Sequence, residues 1–455
     1  MLGNQIEGAL NIEDIIAATG GQVICGNAHA FSGVSIDSRS IQRGELFIAL
    51  KGTRFDGHAF LPEALQKGSG AIVKVPPPEQ IEGKTIISVD DTLVALQRIA
   101  RYMRLKKSIP LVGVTGSNGK TTTKELIASM LGSTYRVLKN TGNLNNQIGL
   151  PLALARIDEK DEAAVLEMGA SAPGDIQELC EIALPDYGVL TNISPSHLEG
   201  FKDMETLRRT KLEILKYVRH AVVNADDSFL VEGIEASGFK GKIVRYGMNN
   251  GAEIYATDIN LHEKGSHFLL HIGKKTYFEV HPKISGRFNI YNILAAVSVG
   301  HLFHIELENI KNVIDSFDSI PMRFEVKETG GIRIISDVYN ANPASMEEAI
   351  KELVRLRKKR AIAILGDMLE LGSYANDAHS RLAKWMSALP IDIFIAIGPM
   401  MSSASSEFSG KVYTFQNSLE SRETIKSICK RGDTLLIKGS RGMCMERVLE
   451  TSDAL

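Results

Sequence analysis

Pro110 to Leu126 reads PLVGVTGSNGKTTTKEL, and the fold is decided there. Leu111 to Val114 is an apolar run of strand length. Thr115-Gly116-Ser117-Asn118-Gly119 is a glycine-rich turn. Lys120-Thr121 open a segment whose apolar residues Leu126, Ile127, Met130 and Leu131 recur close to a 3.6-residue period, which predicts a helix. Strand, glycine loop and helix in that order make a phosphate loop. The loop N–H groups and the helix N-terminus converge on one place and favour an anion there. Lys120 is placed to reach terminal phosphates, and the Thr121 hydroxyl to ligate Mg²⁺. The usual pattern has a glycine five residues before Gly119, where this chain has Val114. A turn rich in glycine for steric reasons alone is the bland alternative. Gly-Lys-Thr-Thr in this strand-to-helix context argues against it.

Downstream, further apolar strands end in polar residues. Ala163 to Leu166 runs into Glu167-Met168-Gly169. A carboxylate at the C-terminal end of a strand is where nucleotide enzymes hold Mg²⁺. Tyr187 to Leu190 runs through Thr191-Asn192 to Ser196-His197-Leu198-Glu199. By position alone His197 is as readily a hydrogen-bonded structural histidine as a functional one. Thr206 to Tyr217 reads as a helix carrying Lys211, whose bland reading is a snorkelling surface lysine. Thr141-Gly142-Asn143-Leu144-Asn145-Asn146 sets three amides near Gly142 and Gly149, and those amides need partners from backbone or ligand. Gly286 to Asn292 precedes an apolar helix, Ile293 to Phe303, with Asn289 as its candidate cap. This alternation over residues 108–320 argues for a mostly parallel sheet covered on both faces.

The flanks read as two more α/β units. Residues 1–107 contain a helix at Leu10 to Ala18 stopped by Gly20-Gly21, a strand at Glu45 to Leu50 and a helix at Thr92 to Leu105. Their polar turns, Ser35 to Arg39 and Phe55-Asp56-Gly57-His58, are in the bland case solvated loops. Pro76-Pro77-Pro78 is a stiff turn or linker, and Lys106-Lys107-Ser108 a boundary. Residues 321–455 carry strands at Ile332 to Ile335, Ala361 to Leu365, Ile391 to Ile397 and Thr434 to Ile437. Pro343 opens a helix over Ala344 to Lys358. Lys438-Gly439-Ser440-Arg441 is a basic turn, solvated in the bland reading and a phosphate or peptide contact in the functional one. No G-x-G-x-x-G follows any strand, so a dinucleotide site is not supported. There is no tandem repeat.

A chain of 455 residues exceeds one ordinary core, which sets an expectation of two to four domains. A formal net charge of −2 gives no reason to expect a nucleic acid partner. The four cysteines have neither metal nor disulfide spacing and read as reduced, mostly buried thiols. The start of the sequence lacks a basic region followed by an apolar run, and no stretch approaches the roughly twenty apolar residues of a membrane span. The expectation is a cytoplasmic protein.

Taken together, these clusters resemble the Mur ligases of bacterial cell-wall synthesis, over essentially the whole chain. The resemblance rests on Thr115 to Thr121, including the missing first glycine, and on Glu167, His197 and Lys211 in the family's order. It implies three domains: an N-terminal α/β unit for a UDP-sugar at 1–107, a central P-loop ATPase-like parallel sheet at 108–320 and a C-terminal Rossmann-like α/β unit at 321–455. Residues 141–151, 337–346 and 365–372 are similar to the branch that adds D-alanyl-D-alanine to UDP-N-acetylmuramoyl-tripeptide. The Asp-Asn-Pro-Arg tetrapeptide of the diaminopimelate-adding branch is absent from the sequence. Ser194-Pro195 departs from the family, which more often has glycine near this turn, and a fixed φ there would shift His197.

The resemblance also implies roles. ATP would lie on Gly116, Ser117, Asn118, Gly119, Lys120, Thr121 and Thr122, with Asn289 and Asn292 near the adenine and Arg323 and Asp337 closing from the third domain. Thr121 and Glu167 would hold one Mg²⁺. Glu167, His197 and a CO₂-derived carbamate on Lys211 would hold a second. Lys120, His197 and Lys211 would be catalytic. Ser38, Arg39, Asp56 and His58 are candidates for the UDP-sugar. Asn143, Asn145, Asn146, Tyr339, Asn340, Asn342 and Ser345 are candidates for the remaining substrate contacts. The implied reaction is an ATP-dependent, ADP-forming ligation through an acyl phosphate, carried out by a monomer. Two rival readings stay open: another ligase of the superfamily, such as a folyl-polyglutamate synthase or a different Mur step, and a P-loop regulatory or motor ATPase without ligation.

Overall fold

The computed structural model describes residues 10–449, apart from 54, 79, 80 and 250. Beside a two-stranded ribbon of Leu10–Asn11 and Ala30–Phe31, three larger sheets follow one another along the chain. The first is five-stranded, built from β1 (Gln22–Cys25), β2 (Val34–Ser35), β3 (Leu46–Ile48), β4 (Gly70–Val73) and β5 (Thr85–Ser88), in the order β1-β5-β4-β3-β2. Only β1 runs antiparallel to its neighbour. Pro76-Pro77-Pro78 lies between β4 and β5, so it is a turn inside this unit rather than a linker between domains.

The central sheet has nine strands. They are β6 (Leu111–Thr115), β7 (Val137–Lys139), β8 (Ala163–Glu167), β9 (Tyr187–Leu190), β10 (His220–Asn224), β11 (Lys242–Gly247), β12 (Ile254–His262), β13 (Gly265–Ile272) and β14 (Thr276–Val280). Their order is β14-β13-β12-β11-β10-β9-β6-β8-β7. Every residue of β6 and β8 is buried, as helices on both faces of a parallel sheet require. One face packs Leu126, Ile127, Met130 and Leu131 of the helix Lys120–Leu131 against Ile293, Leu294 and Val297 of the helix Arg287–Leu302. The other buries Ile176, Leu179 and Phe201. The sheet is parallel through β12, and β12 to β14 form an antiparallel meander that the sequence reading did not anticipate.

The third sheet has six strands: β15 (Glu325–Thr329), β16 (Ile332–Asp337), β17 (Arg360–Gly366), β18 (Ile393–Ile397), β19 (Lys411–Phe415) and β20 (Asp433–Lys438). Their order is β15-β16-β20-β17-β18-β19, with only β15 antiparallel. Pro343 begins its first helix, Pro343–Leu356, as expected.

The first unit docks on the second through the helix Thr92–Lys106. Leu96, Ile99 and Met103 share a core with Leu152, Ala155 and Ile157. Gln97 donates to Glu178 Oε1 at 2.8 Å, and Arg104 pairs with Asp186 at 3.0 Å. All four cysteines are free thiols. Only Cys180 is fully buried, against the expectation of mostly buried thiols.

Candidate active site

β6 ends at Thr115 and the chain turns through Gly116 at φ 140° and Gly119 at φ 81°. Both turns need glycine. A Cβ on Gly116 would stand 2.0 Å from Thr191 Oγ1, and one on Gly119 2.4 Å from Asn292 Oδ1. Val114 lies inside β6, fully buried and paired in register with Glu167. The turn therefore begins two residues later than the usual pattern, and no glycine is required at 114.

The loop is braced by the residues that follow β9. Ser117 N–H donates to the Asn192 carbonyl at 2.8 Å, and Asn118 N–H to Asn192 Oδ1 at 3.1 Å. Thr191 Oγ1 donates to the Asn118 carbonyl at 2.6 Å. Lys120 Nζ donates back to the carbonyls of Gly116 at 2.9 Å and Ser117 at 3.0 Å. Burial lowers the pKa of Lys120, Glu167 opposes that shift and the Arg323 charge adds to it. Thr122 lies half-buried in the first turn of the helix.

Thr121 is the point where separate segments meet. Its hydroxyl donates to Glu167 Oε2 at 2.7 Å and accepts from Arg323 Nη2 at 2.8 Å. Arg323 comes from the segment leading into the third sheet, and its guanidinium stacks 3.8 Å from the centre of the Tyr339 ring. Glu167 is buried at the end of β8 and takes a second donor, Asn145 Nδ2, at 2.8 Å. Asn140 holds the glutamate's backbone from both sides. Its Oδ1 accepts from Glu167 N–H at 2.9 Å, and its Nδ2 donates to the Glu167 carbonyl at 3.0 Å. A hydroxyl and a carboxylate at 2.7 Å are hard oxygen donors of the kind Mg²⁺ takes, so these residues fit that ion.

His197 adopts a left-handed backbone, φ 52°, immediately before the short helix Leu198–Phe201. Its Nδ1 lies 2.7 Å from Glu370 Oε2 of the third unit, and this contact holds the Glu370 carboxyl below the usual carboxylate range. Nδ1 is thereby engaged and Nε2 is left for another partner. Lys211 contradicts its bland reading. It is 1% exposed in the helix Met204–Leu212, and its pKa is pushed down to about 7, by burial first and the Lys120 charge second. Asp175, Glu167 and Glu213 act in the opposite direction. The Phe201 ring lies 6.0 Å from its Nζ. The expected helix over 206–217 is in fact Met204–Leu212 followed by a 3₁₀ turn, Glu213–Lys216.

Asn289 and Asn292 are buried at the start of the helix Arg287–Leu302, which begins earlier than the sequence suggested. Gly286 is the N-cap. Asn289 instead donates to the Ser285 carbonyl at 2.7 Å and accepts from Asn292 at 3.0 Å. Asn292 Oδ1 accepts from Thr123 at 3.2 Å, so this pair is anchored beside the phosphate loop. Asp337 pairs with Lys438, at 2.6 Å, and Lys438 is buried, which removes it from the role of a solvated basic turn.

Asn342 and Ser345 form a capping box on the helix Pro343–Leu356, a structural task. Asn342 Nδ2 also donates across the domains to Asn118 Oδ1 at 2.7 Å. Asn340 is exposed and its Oδ1 accepts from Ala341 N–H. Asn146 caps the turn at Ile148 and Gly149, and Asn143 is exposed.

The candidates of the first unit satisfy one another locally. Ser38 donates to Glu63 at 2.8 Å, and Arg39 pairs with Asp37 at 2.7 Å with its side chain 82% exposed. His58 Nδ1 meets Asp56 at 2.6 Å, while its Nε2 accepts from Lys74 N–H at 3.0 Å. The structure thus gathers Thr121, Glu167, Asn145 and Arg323, joins Asn118 to Asn342 and His197 to Glu370, and links none of Ser38, Arg39, Asp56 or His58 to them. Sequence reasoning missed Asn140, Thr191, Asn192 and Glu370 as site residues. Thr191-Asn192 stands at a visible strand end and Glu370 within the 365–372 stretch, whereas Asn140 carries no pattern.

A braced phosphate loop, a carboxylate at the neighbouring strand end and a guanidinium delivered by another domain define a P-loop nucleotide enzyme completed by domain apposition. Family profiles described as Mur ligase family, catalytic domain, Mur ligase middle domain, and Mur ligase, glutamate ligase domain match residues 30–104, 114–300 and 322–441. The chain belongs to the Mur ligase family. It is 35% identical over 432 residues to the UDP-N-acetylmuramoyl-tripeptide–D-alanyl-D-alanine ligase of Bacillus subtilis (strain 168), covering 92% of each chain. It superposes on MurF from Acinetobacter baumannii with a TM-score of 0.89 at 29% identity, over 97% of this chain and 98% of that one. For the MurF ligase of Thermotoga maritima in complex with ADP the TM-score is 0.81 at 32% identity, over 92% and 96% of the two chains.

Proposed function

We propose that this chain joins D-alanyl-D-alanine to UDP-N-acetylmuramoyl-tripeptide and converts ATP to ADP and phosphate. The observation that carries the chemistry is the Thr121 hydroxyl held between Glu167 and Arg323, residues far apart in sequence and in two domains. The relatives' shared name supports the choice of acceptor and amine. Membership of this family of ligases also speaks against the regulatory or motor ATPase reading.

The tripeptide's terminal carboxylate oxygen attacks the γ-phosphorus, and the β,γ-bridging oxygen leaves with ADP. The dipeptide amine then attacks the acyl carbon, phosphate leaves, and the amine loses a proton as the amide forms. The first step brings two anions together, and Lys120 and Arg323 are the cations placed to offset their repulsion. Thr121 and Glu167 would hold Mg²⁺, which supplies charge neutralisation on the phosphates. His197 and a carbamate on Lys211 would extend the donor set to a second ion. Burial brings the amine's pKa down to about 7, so a large share of it is neutral near pH 7, which favours reaction with CO₂, and the product has the anionic sign a metal site needs. We assign the UDP-sugar to residues 1–107, the phosphates to 108–320 and the amine substrate to 321–455. Contacts such as His197–Glu370 and Asn118–Asn342 position the third unit and exclude water from the acyl phosphate.

We take the working unit to be a monomer. Among the described residues no helix is long and apolar enough to cross a membrane, and we place the protein in the cytoplasm with its nucleotide substrates. The test is ADP release with UDP-N-acetylmuramoyl-tripeptide, comparing D-alanyl-D-alanine with D-alanine, L-alanine and L-lysine. Turnover should require the dipeptide. Equal turnover with a single amino acid would reassign the step.

A further inference from the structure

β13 and β14 close one edge of the central sheet, with β12, β11 and β10 between them and the β9–β6 pair that frames the phosphate loop. We propose that His267, Glu279 and His281 on this edge form a binding site for a borderline divalent transition-metal ion, with Zn²⁺ as the probe, and that the ion staples β14 to β13. The site is independent of the ligation chemistry.

The register places the three residues together. Leu269 pairs with Glu279 and His271 with Tyr277. Continuing that register sets His267 opposite His281, one residue past the end of β14. Residues two apart on a strand share a face, so Glu279 and His281 project on the same side as His267. One ligand atom from each residue lies within 4.8 Å of the other two. His267 Nε2 is 3.9 Å from Glu279 Oε2, and the two imidazoles stack with centroids 4.6 Å apart and planes 7° apart. Ligands bound at the usual metal–nitrogen distance stand about 3.3 Å from one another, so closure on an ion needs the two stacked rings to turn out of parallel until both lone pairs meet at the ion, a change of side-chain rotamer that keeps the strand register.

The backbone that carries these side chains is pinned. His281 N–H donates to Asp315 Oδ1 at 2.6 Å, and Lys311 Nζ donates to the Glu279 carbonyl at 2.7 Å. Both partners belong to the helix Leu307–Ser316, and the Lys311 charge is met by Asp315 at 2.8 Å. A cross-strand imidazole stack is the bland reading of His267 and His281. It does not require a carboxylate converging on the same point. Two imidazole nitrogens and one carboxylate suit Zn²⁺, Co²⁺, Ni²⁺ or Cu²⁺, whereas the Thr121–Glu167 pair suits Mg²⁺. The two sites therefore select different metals. β14 has a sheet neighbour on one side only, and an ion bridging it to β13 would reinforce that exposed edge.

The test uses the full chain, stripped with a chelator and then titrated with Zn²⁺ in excess Mg²⁺. Amide hydrogen exchange over residues 265–281 is the readout, because it separates this site from any zinc bound at a cysteine or in the active site. Micromolar Zn²⁺ should slow exchange there at least tenfold in the wild type, with no such effect from Mg²⁺ alone. His267→Ala and His281→Ala should each abolish the protection, and Glu279→Gln should raise the zinc needed by roughly tenfold, all with ADP release intact. Equal zinc protection in wild type and His281→Ala would overturn the proposal. So would protection that appears only at millimolar zinc, or that Mg²⁺ reproduces.

Discussion

The turns around Arg39 and His58 in the first unit and the strand ends around Glu167 in the second are both dense in polar residues, yet the fold treats them differently. In the first unit Arg39 and His58 find carboxylates close by in sequence, and Ser38 finds Glu63 within the same unit. Arg39 is paired with Asp37 and His58 with Asp56, two residues away in each case. Around Glu167 the partners come from afar. Thr121, Asn145 and Arg323 reach one buried carboxylate or its hydroxyl neighbour from three separate segments. A local pair completes a turn and is largely solvated. A convergent set gathered from distant segments keeps its groups out of water, where each charge acts at lower dielectric and removal of one leaves the others unpaired. The same contrast separates Lys211 from an ordinary helix lysine, since burial moves it to about pH 7.

The largest effect should come from the convergent region. Lys120→Ala should cut ADP release by roughly 10²–10³-fold, the loss expected for one transition-state contact to a developing charge, with an unchanged circular-dichroism spectrum. A variant retaining more than a tenth of the wild-type rate would show that Lys120 does not meet the reacting phosphate. Lys211→Ala should come next, nearly inactive and partly restored by a short carboxylic acid in the buffer. Lys211→Arg should not be rescued, because its guanidinium keeps the positive charge and fills the space.

Glu370→Gln probes the contact between the second and third units. It keeps a hydrogen-bonding partner for His197 and removes the charge, and a loss of about tenfold in kcat is expected. An unchanged kcat would show that the His197–Glu370 contact is incidental. Arg39→Ala should change the affinity for the UDP-sugar substrate by less than about threefold, the yield of an exposed ion pair. A large loss measured by calorimetry would move Arg39 into the binding site and blur the distinction between the two regions.

Burial of Lys211 also has a consequence for stability. The folded pKa of Lys211 lies below its ordinary 10.5, so between about pH 7 and 10.5 the unfolded chain holds the extra proton and wild-type stability rises with pH. Lys211→Met, compared with wild type in CO₂-free, metal-free buffer, should therefore melt higher, with the greatest advantage below pH 7 and a shrinking one toward pH 10. An advantage that grows with pH would contradict the burial of the amine.

Sequence reading located the strand, loop and helix of residues 111–131 because period, glycine placement and Lys-Thr chemistry agree over one contiguous stretch. It placed Glu167 because a carboxylate closing an all-buried strand has few other uses. It could not show that Arg323 would reach Thr121, since that contact depends on how two domains sit together. Asn140 was invisible for a related reason: its amide pairs with the backbone of Glu167, and nothing in its own neighbourhood marks that pairing. Asn342 and Ser345 were read as substrate contacts, and the capping box shows how a helix start uses the same residue types. The β12–β14 meander was missed because the reading carried the strand-and-helix alternation past its end at Ile254.

The most direct measurement of the central claim is the fate of oxygen in one turnover. UDP-N-acetylmuramoyl-tripeptide labelled with ¹⁸O in its terminal carboxylate is incubated with ATP and D-alanyl-D-alanine, and the released phosphate is analysed by mass. Attack of that carboxylate on the γ-phosphorus, followed by amine attack on the acyl carbon, leaves one ¹⁸O in each phosphate. Phosphate without label, alongside amide product, would contradict the acyl phosphate and the mechanism assigned to Lys120, Thr121, Glu167 and Arg323.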